Sequence, residues 1–156
     1  MKTAIIILLL CNISCNSPVR NIAVAYKVSY SFFDNTWDLN YSLTKPLMVA
    51  DSSIRKDWFQ ENEIEHEIKW VHDRLKKYFS KKPKIVNRKY EERFLEIGQK
   101  KLSLNISNVF LYLESEESEE ILWLLVAHKT GKIVDVGFLN DEKLERRVGQ
   151  TYFEQN

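Results

Sequence analysis

From Ile22 to Leu43 the chain alternates apolar and polar residues in two runs that meet at the pair Asp34-Asn35. Ile22, Val24, Tyr26, Val28, Tyr30 and Phe32 take every second position, and Trp37, Leu39, Tyr41 and Leu43 do the same after the pair. Two is the strand period. If Asp34-Asn35 closes a two-residue turn, Phe32 faces Trp37, Tyr30 faces Leu39, Val28 faces Tyr41 and Tyr26 faces Leu43. All the apolar residues then share one face, which a one-residue slip would undo. The expectation is an N-terminal β-hairpin with one wet face.

Pro46 ends that element, and Asp51-Ser52-Ser53 can cap a helix. Asn62 and Glu65 resemble a capping box, and Ile64, Ile68, Val71, Leu75 and Tyr78 follow at helical spacing. Glu65–Lys69 and Asp73–Lys77 are expected i,i+4 pairs on the wet side. Ile54, Trp58 and Phe59 are out of phase with this stripe and suggest a separate first turn or a kink. Pro83 stops the helix, and Tyr90, Phe94 and Ile97 suggest a shorter second helix ending at Gly98. The remainder is β-rich. Leu104 to Leu113 reads as a strand, and Ile121 to Ala127 is apolar on both faces, as in a strand covered on both sides. Lys129-Thr130-Gly131-Lys132 is a hairpin turn of two residues, or of three with a bulge, with Gly131 available for positive φ. Ile133 to Leu139 returns, and Asp141 caps a last helix with Leu144 and Val148 facing inward. The order is ββααβββα. This is α+β: an antiparallel sheet from an N-terminal hairpin and a C-terminal three-stranded meander, packed by helices.

The first fifteen residues carry a destination rather than a fold. Lys2 is a basic head, Ala4 to Leu10 is a short apolar run, and Ser14 precedes Cys15. This is the layout of a secretory signal, too short for a spanning helix of roughly 20 residues. A cysteine directly after a small residue resembles the bacterial lipoprotein signal. That resemblance implies cleavage after residue 14, a lipid on Cys15 and anchoring to a membrane; Cys11 is the second candidate. The expected division is 1–14 signal, 15–18 tether and 19–156 one domain. Asn16, with no Asp after Cys15, implies by the same resemblance an outer-membrane or periplasmic location. With signal, size and Lys/Glu/Asn-rich composition taken together, the chain resembles small lipoproteins of unknown function from Bacteroidetes-like bacteria. The stretch Leu122 to Ala127, Gly131 to Val136 and on to Tyr152-Phe153 is similar to the hairpin and helix of the TonB C-terminal domain. No transmembrane anchor or Pro-rich spanner accompanies it, so this likeness implies a fold and not energy transduction.

An exported domain without a disulfide is held by its core alone. Hydrophobic content of 44% and aromatic content of 12% supply the material for one. Loss of Lys2 with the leader leaves basic and acidic residues equal in number, which excludes a general nucleic-acid binder. The four glycines, Gly98, Gly131, Gly137 and Gly149, are too scattered for a phosphate-cradling loop. Neither Gly-x-Ser-x-Gly nor His-Glu-x-x-His occurs. His66 and His72 fall on different helix faces and cannot share a metal. His128 sits beside a hairpin turn, where an edge position or a functional tip both fit. No catalytic residue, metal or cofactor is expected.

Two segments carry binding potential. Lys76, Lys77, Lys81, Lys82, Lys84, Arg88 and Lys89 fall in one window without an acid, a candidate site for an anionic polymer or headgroup. Glu114, Glu116, Glu117, Glu119 and Glu120 form a candidate acidic docking loop between two strands. The functional expectation is a lipid-anchored, non-enzymatic interaction module of the cell envelope with an unknown envelope protein or anionic polymer as partner. The alternatives are a secreted enzyme with a Glu/His site and an inhibitor or immunity-type protein docking by its acidic loop.

Overall fold

The computed structural model describes residues 18–49, 61–97 and 100–139. Helix α1 (Pro18–Trp37) is followed by the short helix α2 (Tyr41–Thr44) and a 3₁₀ turn over Lys45–Leu47. Helix α3 (Glu61–Tyr78) then leads to four strands: β1 (Lys84–Ile97), β2 (Lys100–Glu114), β3 (Glu119–Ala127) and β4 (Lys132–Phe138). They form an antiparallel sheet in the order β1-β2-β3-β4. The class is α+β, with the helices first and the strands after.

The N-terminal hairpin is not formed. Residues 22–37 lie in α1. The buried set is Ala25, Val28, Ser29, Phe32, Phe33, Thr36 and Trp37, which steps by three and four along one helical stripe. Two of its members are polar, and the Ser29 hydroxyl donates to the Ala25 carbonyl at 2.7 Å. Small and polar residues in the stripe hide the helical period, while the large apolar residues alternate by coincidence. Leu43, a core residue of the hairpin reading, is 54% exposed. The short helix expected over Tyr90 to Ile97 is also a correction: those residues belong to β1, paired with β2 along its length. Charged, helix-tolerant residues suit an exposed edge strand as well as a wet helix, and pairing with β2 decides between them.

Elsewhere the apolar patterns agree with the fold, while the Asn62 cap, the Glu65–Lys69 pair and the two- or three-residue turn after β3 are corrected. Ile64, Ile68, Val71 and Leu75 of α3 are buried, as is Phe79 just beyond it. Asn62 lies inside α3, and Glu65 pairs with Lys45 at 2.8 Å rather than with Lys69, which pairs with Asp73. One face of the sheet presents Val109, Leu111, Leu113, Leu122, Leu124, Val126, Ile133, Val136 and Phe138 to α1, α3 and Met48. The other face carries Trp123 and Leu125 with Ile106, Phe110 and Val134. β3 is therefore buried on both sides. Asn108 is buried there too and accepts from the Trp123 indole N–H at 2.9 Å. The Asp51-Ser52-Ser53 cap, Ile54, Trp58, Phe59, Gly98, the Asp141 helix with Leu144 and Val148, and the leader with Cys11 and Cys15 lie outside the described residues.

The β3–β4 turn spans four residues, because Ala127 pairs with Lys132 and the Gly131 N–H donates to the Ala127 carbonyl at 2.8 Å. Gly131 has φ +61, and a Cβ there would stand 2.8 Å from Val24 Cγ1 of α1. Gly131→Ala is expected to destabilise by about 1–2 kcal/mol from the left-handed backbone alone, with the Val24 contact adding to it. A lowered urea midpoint at unchanged slope is the check.

Candidate functional site: a mixed-charge cleft and a histidine relay

Helix α1 runs along the sheet from the β3–β4 turn to the β2–β3 loop. Its first turns meet the β3–β4 turn, where Asn21 reaches His128 and Val24 meets Gly131. Asp34, near its other end, takes Lys82 at 2.8 Å beside the start of β1. Twenty residues of helix place these two ends about 30 Å apart.

At the far end, both sequence-marked segments enter one cleft. Lys84 pairs with Glu114 in the β1–β2 register. Ser80 donates to Glu117 through its hydroxyl at 2.8 Å and its N–H at 3.4 Å. The Ser115 hydroxyl oxygen accepts from the Glu117 and Ser118 N–H groups, and the Ser115 N–H donates to the Ser118 carbonyl. The acidic loop is thus a built turn tied to the connection after α3. Between the two lies a cleft of about 360 Å³, with Lys81, Lys82 and Lys84 on one wall and Glu114, Glu116 and Glu117 on the other.

The remaining predicted cations do not converge there. Lys76 lies 3.5 Å from the Trp37 ring centroid and Lys77 is 5.5 Å from that of Tyr78. Arg88 sits 4.3 Å over the Tyr26 ring and donates to the Tyr30 hydroxyl at 2.9 Å. Lys89 pairs with Glu91. Arg88 faces the helices with Leu111, while Lys89 pairs opposite Phe110 on the other face of the sheet. Of the acidic set, Glu119 is exposed, but Glu120 turns inward to 5% exposure with Arg74 at 4.0 Å. Burial pushes the Glu120 carboxyl above the usual carboxylate range against the pull of Arg74. Its carboxyl is buried, unlike those of Glu114, Glu116, Glu117 and Glu119.

His128, at the opposite end, anchors a polar relay that no motif announces. The Ser107 hydroxyl donates to Tyr90 Oη at 2.7 Å, and Tyr90 donates to Glu92 Oε1 at 3.2 Å. With its proton committed to Tyr90, Ser107 Oγ accepts from His128 Nε2–H. His128 Nδ1 is then the bare nitrogen, facing the Asn21 amide at 3.5 Å. Burial lowers the His128 pKa below its ordinary value, opposed by Glu92. Burial likewise raises that of Tyr90. Ser107 is fully buried, so this arrangement orients a neutral imidazole and presents no nucleophile. One sequence signal existed: Ser107 shares strand parity with Val109, Leu111 and Leu113, which places a hydroxyl on the core face.

The enzyme reading requires His128 or His72 beside several carboxylates in a deep pocket. His128 reaches Glu92 only through the relay, above an open cavity of about 240 Å³ lined in part by Arg20, Asn21 and Lys129. His72 donates from Nδ1 to the Thr36 carbonyl at 2.9 Å and ties α3 to α1. His66 is exposed. No group of metal-ligating side chains occurs among the described residues, and no helix among them is long and apolar enough to cross a membrane.

Fold and site together define an α+β protein with helices on one side of an antiparallel meander and a charged cleft at one end. No family model, curated protein or solved structure matches the chain.

Proposed function

We propose that this chain is a lipid-anchored, non-enzymatic binding module of the bacterial envelope that holds a polar partner in its mixed-charge cleft. The single observation carrying this reading is the convergence of the Lys81–Lys84 and Glu114–Glu117 segments on one cleft at the end of α1 remote from residue 15. A lipid on Cys15 would lie three residues before α1, and the cleft would then face away from the bilayer by about the length of that helix. A partner carrying both charge signs, such as an envelope protein segment, fits two opposed walls better than an anionic polymer does. The pinned acidic turn also favours the second reading, an inhibitor or immunity-type protein docking on a basic partner by Glu114, Glu116 and Glu117.

Mass spectrometry of the mature N-terminus is expected to find a diacylglyceryl group on Cys15. Cys15→Ala is expected to move essentially all of the protein out of the membrane-anchored fraction. An unmodified Met1 in the mature protein would end the anchoring reading. For the cleft, a photocrosslinker at Glu116 is expected to trap a partner in intact envelopes, while one at the exposed His66 does not. Glu114→Gln, Glu116→Gln and Glu117→Gln together abolish capture in the docking reading. If Lys81→Gln and Lys84→Gln abolish it as well, the partner uses both walls.

A further inference from the structure

We infer that the end of the molecule at which α1 begins is itself a contact surface for anionic lipid headgroups. The inference deepens the anchoring reading above and rests on it for the position of the bilayer.

Three observations place one chemistry at this end. Val19 is 77% exposed and Val24 is 38% exposed on the first turns of α1, with exposed Arg20 between them. The β3–β4 turn packed beside them adds exposed Lys129 and Lys132. Apolar side chains set among cations suit an interface where headgroups meet acyl chains. The β1–β2 ribbon also overhangs the sheet on this side. β2 leaves β3 at the Ile106–Ala127 pair, but pairing with β1 continues through Phe94–Ser103, Leu95–Leu102, Glu96–Lys101 and Ile97–Lys100. Asn105, at φ 57 in the irregular stretch between the Glu92 and Phe94 pairs, marks the departure, and its carbonyl accepts the His128 N–H at 2.8 Å. The last pairs of the ribbon, Glu96–Lys101 and Ile97–Lys100, thus lie at the same end.

The charge layout gives the orientation. On β1 at this end of the sheet, Glu91 is engaged by Lys89 and Glu92 by Tyr90. Glu114, Glu116, Glu117 and Glu119 all lie at the other end, beyond the reach of an anionic bilayer that would repel them. A tether from Cys15 to Pro18 spans at most about 10 Å, which is close to the screening length in physiological salt. The cations of α1 and the turn are therefore held where headgroup charge is still felt.

The test uses the mature protein purified from cells, in which acylation blocks the Cys15 thiol. A fluorophore on Thr130→Cys is compared with one on Glu116→Cys in vesicles of phosphatidylcholine alone or with one-third phosphatidylglycerol, both bearing a headgroup quencher. Expected is strong quenching at position 130 with phosphatidylglycerol, weak quenching without it, and none at 116. Each cation near such a surface contributes about a five-fold gain in contact, so Lys129→Gln with Lys132→Gln lowers the contacting-to-free ratio about 25-fold while leaving vesicle flotation intact. Equal quenching at 130 and 116, or quenching indifferent to phosphatidylglycerol or to the two substitutions, overturns the inference. Failure to float on phosphatidylcholine vesicles instead overturns the anchor. In that case quenching at 130 by added phosphatidylglycerol vesicles still supports the surface, and its absence rejects it.

Discussion

Phe33→Ala is expected to destabilise the protein by about 3–5 kcal/mol, while Leu43→Ala changes stability by less than about 0.5 kcal/mol. Phe33 is 2% exposed in the stripe of α1 that packs on the sheet, and Leu43 is 54% exposed on α2. An N-terminal hairpin would reverse the ranking, with Leu43 on the apolar face and Phe33 among the wet positions. Denaturation midpoints of the two variants at matched slopes therefore test the element as well as the packing. Equal losses, or a larger loss at Leu43, would reject α1 as a helix. Lys82 stacks 5.6 Å from the Phe33 ring centroid while pairing with Asp34. Phe33→Leu, which keeps the core filled and removes the ring, separates the small cation–π contribution from the large packing one.

Ser107→Ala is expected to cost about 1–3 kcal/mol, because loss of the hydroxyl leaves His128 Nε2–H without an acceptor and Tyr90 Oη without a donor. The relay also sets a pH dependence. Burial favours neutral His128, so the folded state holds its imidazole proton less tightly than the unfolded chain does. As pH falls below about 6.5, the unfolded chain takes up that proton first. Stability is therefore full above that pH and declines as pH falls toward the lower folded-state value. Glu120 acts in the opposite sense: its pKa is raised by burial, so the penalty of its buried charge is relieved on acidification. Urea titrations over a pH series in a Glu120→Gln background isolate the histidine. The slope below pH 6.5 is expected to vanish in His128→Phe, and a slope that survives would locate the titration elsewhere.

The cleft and the relay differ in how far they could be read from residues in order. Lys81 to Lys84 and Glu114 to Glu117 were each marked by composition, but nothing local says that the two segments share a cleft. That follows from the register that sets Lys84 opposite Glu114 and from Ser80 reaching Glu117. Asn21, Tyr90, Glu92, Ser107 and His128 come from α1, two strands and a turn, so only the assembled sheet unites them.

Helix α3 and strands β2, β3 and β4 were determined locally. Their buried residues are large and apolar at one period, or continuous where both faces are covered, and a positive φ at the β3–β4 turn was legible in Gly131. The first helix and the first strand were decided by tertiary structure. In α1 the inward stripe is completed by Ala25, Ser29 and Thr36, whose burial depends on a sheet that begins only at Lys84. In β1 a charged segment with no strong preference is held extended by hydrogen bonds from β2. Periodicity reports a face only when the residues filling it differ in hydropathy from those outside it. Where small or charged residues serve on both sides, the neighbouring surface makes the choice.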